Sequence, residues 1–235
     1  MPNRDLAHEW TDEELERLER RIARVYREAR NELNETVKAY FESFRKRDEE
    51  MKALIGTIQN GKEWTEQDYK QWRLNQIGRG KRFEALRDQM AERYTKANEV
   101  AVAYVNDATP GIYSLNRNYA AYTIEKVAGN VGFDLWDERT VRRLIVEQPN
   151  LMPYYPKKKA LKRGIDLKWG KKQITKSITS GILQGKSVGQ IATDLQARVS
   201  EMNRSSAVRA ARTAITSAQN GGRMDSYNAA RKKGI

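Results

Sequence analysis

Three stretches of the chain contain residues whose types and spacing could do chemistry. Residues 157–176 carry nine lysines and arginines but one carboxylate, Asp166. Residues 181–187, Gly-Ile-Leu-Gln-Gly-Lys-Ser, have the composition of a phosphate-binding loop, and residues 207–230 set arginines and an Asn-Gly-Gly-Arg among small residues. The corresponding chemistry would be attraction of a polyanion, nucleotide binding, and either polyanion contact or close helix packing.

The glycines of residues 181–187 do not have the spacing that nucleotide binding needs. A phosphate-binding loop places four residues between two glycines and follows a strand. Here Gly181 and Gly185 enclose three residues, between two predicted helices. We therefore expect Gly185 to end one helix and Ser187 to cap the next, and we predict no cofactor.

The composition disfavours catalysis. The chain has no cysteine, and its single histidine, His8, precedes the first predicted helix. Thiol chemistry is therefore excluded, and a histidine-based metal site or a Ser-His-Asp relay is not expected. Paired carboxylates for acid–base work are absent from the basic part of the chain. We predict no catalytic and no metal-binding residue, and an enzyme is the third hypothesis for function.

The net charge of +13 arises in the last third of the chain. Residues 1–100 carry 21 basic and 21 acidic groups, whereas residues 151–235 carry 18 and 4. This asymmetry favours a polyanion partner, nucleic acid before acidic protein or membrane, over a merely solvated lysine-rich loop. Lysines without base-reading motifs predict sequence-independent binding of a nucleic-acid backbone. The predicted contacts are Lys157, Lys158, Lys159, Lys162, Arg163, Lys171, Lys172 and Lys176.

Long helices are predicted for the first half. Apolar residues recur at helical spacing from Leu15 to Ile58, which predicts one long helix or a hairpin broken near residues 44–48. Thr11 with Glu14 has the pattern of a capping box, and Trp64-Thr65-Glu66-Gln67-Asp68 repeats this type of helix start. A third helix follows Gly78-Arg79-Gly80.

The remaining predicted elements are helices, with a loop, an extended piece and a linker between them. The predicted ranges are a loop over 106–111, a helix over 112–128, an extended piece over 129–135, a helix over 140–147, a linker over 148–165, and helices over 169–183, 187–199 and 207–230, the last bent at Gly221-Gly222. The fold class is mainly α, with long N-terminal amphipathic helices, then a smaller basic helical domain, and few or no strands. Domain boundaries are predicted at 1–110, a docking region, 111–150, a connector, and 151–235, the basic domain.

Targeting and membrane signals are missing from the sequence. The first residues contain no apolar segment of the kind found in signal peptides. No apolar run approaches transmembrane length, and the mean hydropathy is −0.85. We expect a soluble protein made in a cytoplasm.

Residues 211–227 resemble the signature of the phage head morphogenesis family. The family pattern is Ala-Arg-Thr-Glu, then Asn-x-Gly-Arg, then Tyr, and Ala214 stands here where the family has glutamate. The resemblance covers about residues 110–235 and includes the pattern around Trp169 and residues 181–195. The residues that carry it are Arg212, Thr213, Asn220, Gly222, Arg223 and Tyr227.

The resemblance implies a structural role. The family comprises minor capsid proteins of tailed bacteriophages that associate with the portal inside the head and are linked to head assembly, DNA packaging or ejection. The implied partners are the portal protein, double-stranded DNA and, as further candidates, the major capsid or scaffolding protein, with no membrane in the assembled head. Several copies would lie near the portal vertex of the virion, after assembly in the host cytoplasm. The alternative hypothesis is a cytoplasmic helical nucleic-acid-binding protein outside the virion.

Overall fold

The computed structural model describes residues 5–148, 150–152 and 163–235, with only the backbone of 163–165. These residues form six helices and one small hairpin, so the mainly α class is confirmed. The elements are α1 Leu6–Ala53, β1 Ile58–Gln59, β2 Lys62–Glu63, α2 Glu66–Ile77, α3 Lys81–Ala128, α4 Glu138–Glu147, α5 Arg163–Leu183 and α6 Val188–Lys232. No described helix combines the length and the apolar composition that crossing a membrane requires.

Helix α1 is one continuous helix. Of the two predicted alternatives, the long helix is confirmed and the hairpin broken near residues 44–48 is not found. Its predicted apolar stripe is buried from Leu18 to Tyr40. The helix begins earlier than predicted, because the Asp5 carboxylate accepts the His8 N–H at 3.0 Å. Thr11 lies inside the helix, where its hydroxyl donates to the Ala7 carbonyl at 2.7 Å. The predicted start at Thr11 is therefore wrong.

A tight hairpin connects α1 to α2. Strands β1 and β2 pair antiparallel, and Asn60 and Gly61 between them have φ of 52° and 78°. Two left-handed residues are what a type I′ turn requires, and Asn-Gly is its commonest sequence. Thr65 then caps α2 in a complete capping box with Asp68, as its sequence pattern predicts.

Helix α3 runs through residues 106–111, which were predicted as a loop. Pro110 lies inside the helix and cannot donate a helical hydrogen bond. The residues around it are buried, Val105 and Thr109 before it and Ile112 after it. The loop prediction is wrong because burial on both sides of the proline outweighs the local breaking signal.

The segment before α4 has no regular secondary structure. Residues 129–137 form no strand, contrary to the predicted extended piece. Asp137 caps α4 by accepting the Thr140 N–H at 2.8 Å, and Val141 and Ile145 of this predicted helix are buried.

Helices α5 and α6 meet at a sharp turn. Gly185 has a φ of 71°, and Ser187 caps α6 by accepting the Gln190 N–H at 3.2 Å. Both roles were predicted. Helix α6 then continues to Lys232, so the two predicted C-terminal helices are one, without a break at residues 221–222.

The chain divides into two compact units, one assembled from three separate stretches and the other from two. Unit 1 comprises Met1–Arg24, Glu99–Ala160 and Ser205–Ile235, and unit 2 comprises Val25–Asn98 and Leu161–Arg204. Helices α1, α3 and α6 each contribute residues to both units. Both units therefore draw on the neutral and the basic parts of the sequence. Unit 2 carries 25 basic and 16 acidic residues, and unit 1 carries 19 and 15. The three predicted functional blocks stay a prediction, but they are not the compact units.

Candidate polyanion-binding site

The structure describes only some of the predicted polyanion contacts. Four lie outside the described residues: Lys157, Lys158, Lys159 and Lys162. Of Arg163 only the backbone, at the start of α5, is described. The remaining three lie on α5 in unit 2: Lys171, Lys172 and Lys176.

The three described lysines line one groove of about 760 Å³, which we call the cationic groove. Helix α5 directs Ile174, Ile178 and Ile182 into the core of unit 2, which leaves its lysines on the outer faces. Near the groove, α5 lies against α3 in van der Waals contact, since a Cβ on Gly170 would lie 3.5 Å from the Ala91 Cβ. The groove is lined by Arg87, Lys171, Lys172, Thr175, Lys176, Thr179, Ser180, Leu183 and Gln184.

The charges of the groove are unevenly compensated. Asp88 accepts from the Arg87 Nε at 2.9 Å and lies 2.9 Å from the Lys171 Nζ. The Lys171 hydrogen bond is the main reason that the pKa of Asp88 is below its usual range, although burial acts in the opposite direction. Lys172 and Lys176 are exposed, and neither has an ion-pair partner in the part of the chain that is described. Two cations are thus available to a ligand and two are shared with Asp88.

Hydroxyl groups complete the groove. The Thr175 hydroxyl donates to the Lys171 carbonyl at 2.9 Å, and the Ser180 hydroxyl accepts from Gln184 at 3.2 Å. The Ser180 hydroxyl keeps its proton for a phosphate oxygen, which also accepts from ammonium groups, whereas Thr175 uses its proton on the Lys171 carbonyl. Sequence analysis missed these residues and Arg87. Nothing in the neutral first half of the sequence distinguishes Arg87 from its other arginines.

A buried ion pair anchors the turn at the end of α5. The Arg73 Nε lies 2.8 Å from the Asp48 Oδ1, and the two residues are 1% and 6% exposed. Arg73 also donates to the Lys186 carbonyl at 2.8 Å, and Tyr69 donates to Asp48 at 2.9 Å. Burial raises the pKa of Tyr69 to about 12. These contacts hold the α5–α6 turn of unit 2 and thereby the end of the groove.

The residues of the family resemblance lie on α6 in unit 1, where Gly222 has a packing role. A Cβ at Gly222 would lie 2.4 Å from the Tyr113 carbonyl oxygen and 3.0 Å from the Arg117 nitrogen. Only a residue without a side chain permits this approach of α6 to α3. The glycine pair was predicted as a bend, and the structure gives close helix packing instead.

Arg223 is the centre of a polar network next to Gly222. Its Nε donates to the Asn116 Oδ1 at 3.0 Å, and its Nη1 lies 2.7 Å from the Asp5 carboxylate. Asn116, which is fully buried, also donates to the Thr11 hydroxyl at 2.9 Å. The network therefore links α6 with α3 and with the start of α1 inside unit 1.

The other residues of the resemblance are at the surface. Arg212 is exposed and makes a bidentate pair with Glu19 of α1, and the Thr213 hydroxyl donates to the Arg209 carbonyl at 3.0 Å. Asn220 and Tyr227 are exposed. Ala214 is 2% exposed, so a glutamate at this position would be buried. Glu19, from a distant part of the sequence, supplies the carboxylate for Arg212.

Arg117 holds the irregular segment before α4 and was missed in the sequence. It is 4% exposed and donates to Asp225 and to the Asp134 carbonyl, both at 2.6 Å. Its guanidinium lies 3.7 Å from the centre of the Trp136 ring. No sequence signal indicates this pairing, because Arg117 and Asp225 are 108 residues apart.

Among the described residues, no group of three or more His, Cys, Asp or Glu side chains could hold a metal ion. His8 lies in unit 1, with its Nδ1 2.8 Å from the Gln219 amide nitrogen.

Comparisons with protein-family models, curated proteins and solved structures found no match.

Proposed function

We propose that this chain is a structural protein that binds double-stranded DNA through the cationic groove without reading its sequence. The observation that carries the proposal is the row of exposed Lys172 and Lys176 beside Lys171, Arg87 and the groove hydroxyls. Ammonium and hydroxyl groups are donors that suit phosphate oxygens. The net charge of unit 2, with 25 basic against 16 acidic residues, adds long-range attraction.

We further propose that the chain acts as a minor capsid protein of a tailed phage. The support is the resemblance of residues 211–227 to the head morphogenesis family, together with the framework role of Gly222 and Arg223 in unit 1. In this role several copies would associate with the portal inside the head. Their contacts with packaged DNA would support head assembly, packaging or ejection.

The same proposal assigns no catalytic role to the chain. Catalysis needs a base, acid or nucleophile poised near a reacting atom. The single histidine, His8, contacts Gln219 and lies 3.5 Å from Asp12, and the groove residues are cations and hydroxyls. These residue types suit binding of an anion.

The DNA part of the proposal is tested by binding across a salt series. The intact chain is titrated into a short fluorescent duplex of arbitrary sequence, and a second duplex of scrambled sequence serves as the control. We expect equal affinity for both duplexes and a steep loss of affinity as salt rises, because released counterions drive such binding. Absence of binding at low salt would overturn this part.

The capsid part is tested by co-expression with the portal protein of the same genome. We expect the chain to co-purify with the portal ring in buffers of physiological salt. Binding of DNA without portal association would favour the alternative, a nucleic-acid-binding protein outside the virion. Binding of neither partner would overturn both.

A further inference from the structure

We propose that Asp88 is a counter-anion beside the cationic groove that competes with an incoming polyanion for Lys171 and Arg87. The inference rests on the polyanion-binding function proposed above and concerns the regulation of the same site. Its consequence is that the groove binds its ligand less tightly than its cations alone would allow. Such a residue would permit binding that is easily reversed.

The geometry of the Asp88 carboxylate supports this role. Its Oδ2 lies 2.9 Å from the Lys171 Nζ, and its Oδ1 accepts from the Arg87 Nε at 2.9 Å. Both oxygens of one carboxylate are therefore used on cations that line the groove. One of these cations comes from α5 and the other from α3.

The exposure of the pair means that a ligand can reach it. The side chains of Lys171 and Asp88 are 37% and 45% exposed. Ion pairs with this exposure are weak, so a phosphate can exchange with the carboxylate at little cost. Asp88 thus lowers affinity without closing the groove.

The neighbouring lysines provide an internal contrast. Lys172 and Lys176 are exposed and, within the described part of the chain, have no carboxylate partner. A phosphate can contact these two directly, but it contacts Lys171 only in competition with Asp88. Because the pKa of Asp88 is below its usual range, owing first to the hydrogen bond with Lys171, the carboxylate is charged at neutral pH.

The test compares Asp88→Asn with a matched control, Glu42→Gln. Glu42 lies outside the groove in unit 2, and its carboxylate is 2.7 Å from the Arg45 Nε, with both side chains more than 60% exposed. Both variants raise the net charge by one; Asp88→Asn breaks the pairs with Lys171 and Arg87, and Glu42→Gln breaks the exposed pair with Arg45. Thermal unfolding followed by circular dichroism checks that each variant keeps the wild-type fold.

We expect Asp88→Asn to bind a short fluorescent DNA duplex about fivefold more tightly than wild type at low salt, the size of one unit-charge interaction at ~4 Å in water. Glu42→Gln should bind less than about twofold more tightly, because its charge change is screened and remote from the groove. In a Lys171→Gln background the gain from Asp88→Asn should shrink by at least about half, since one contested cation is gone.

The outcomes separate this inference from the proposed function. If wild type binds but Asp88→Asn gains no more than Glu42→Gln, the inference fails and the proposed function stands. An undiminished gain in the Lys171→Gln background would also overturn it, because the effect would be long-range charge without competition. If neither wild type nor Asp88→Asn binds at low salt, both proposals fail. Binding by Asp88→Asn alone would support the inference.

Discussion

Units 1 and 2 hold positive charge in different environments. Unit 1 does so through Arg117 and Arg223, and unit 2 through the lysines of the cationic groove. Arg117 is 4% exposed and meets a carboxylate, a backbone carbonyl and an indole ring. Arg223 likewise meets Asp5 and Asn116. In the groove, Lys172 and Lys176 extend from α5 into solvent.

The difference follows from the chemistry of the two cations and from the cost of burial. A buried charge must be paired and hydrogen-bonded, and the planar guanidinium can satisfy several acceptors at fixed angles. Lysine is a flexible, strongly hydrated point charge that stays at the surface and suits phosphate without base specificity. We infer that Arg117 and Arg223 stabilise unit 1, whereas the lysines of α5 are the ones proposed to serve a ligand.

The largest effect on stability is expected from replacing Arg117. Arg117→Met should lower the free energy of unfolding by about 3 kcal/mol, because it removes hydrogen bonds to a charged partner and leaves Asp225 uncompensated. Arg212→Met is the control, since it breaks an arginine–carboxylate pair whose arginine is 61% exposed. That change should cost far less, because solvent screens an exposed pair. Urea unfolding measures both, and equal losses would show that burial does not distinguish the two arginines.

The next largest loss of stability is expected from adding a side chain at Gly222. Gly222→Ala should cost about 2 kcal/mol, because the added Cβ meets the backbone of α3 and the two helices must separate. Gly189→Ala, at the start of the same helix, has nothing within 4 Å of its added Cβ. Thermal unfolding should therefore show no loss of stability for Gly189→Ala. A Gly222→Ala variant as stable as wild type would contradict the packing role.

A smaller, pH-dependent effect is expected from Asp5. Burial acts to raise the pKa of Asp5, but the hydrogen bonds from Arg223 and the His8 N–H outweigh it, so the folded-state pKa is lowered from 3.8. A lowered pKa gives stability that is complete above the unfolded pKa and is lost as the pH falls through the folded one. Asp5→Asn, which keeps the cap, should cost about 1 kcal/mol at pH 7.

The measurement for Asp5 is urea unfolding of wild type and Asp5→Asn at neutral pH and at successively lower pH below 3.8. The difference between them should close as the wild-type carboxylate becomes protonated. A difference that stays constant into acid would mean that the charge of Asp5 does not contribute.

No effect on stability is expected from the exposed lysines. The double variant Lys172→Gln/Lys176→Gln should unfold like wild type, within about 0.5 kcal/mol. Its DNA affinity should fall, and the slope of log K against log salt should decrease by about 2, one for each lost phosphate contact. Lys46→Gln/Lys52→Gln, which removes two exposed lysines of α1, is the control with the same net charge. Equal slopes for the two variants would show that the groove is not the binding surface.

Local sequence signals predicted where helices end at positions that are not packed against another helix. Gly80 and Gly185 have φ of 88° and 71°, and each lies in a break between two helices, as predicted. Pro110 and the glycines at 221–222 are also helix-breaking types, yet the helices continue through them. These positions are packed against other helices, and the packing outweighs the local preference.

The groove was only partly predictable. The positive charge of α5 is visible in the sequence, and so is the helical spacing of Trp169, Ile174, Ile178 and Ile182, of which Trp169 is 38% exposed and the isoleucines are buried. Arg87 and Asp88 lie about 80 residues before α5, in a part of the chain with balanced charge. Their place at the groove depends on the contact between α3 and α5, which has no signature in either segment.

The sequence by itself determined the helical periodicity, the lack of thiol chemistry and the excess of positive charge near the C-terminus. These are properties of composition and of short-range spacing, which need no fold to be expressed. The tertiary structure decided which cations are compensated internally. The partners of Arg117, Arg212 and Arg223 are more than 100 residues away along the chain, and the energy of each pair depends on the burial that packing creates.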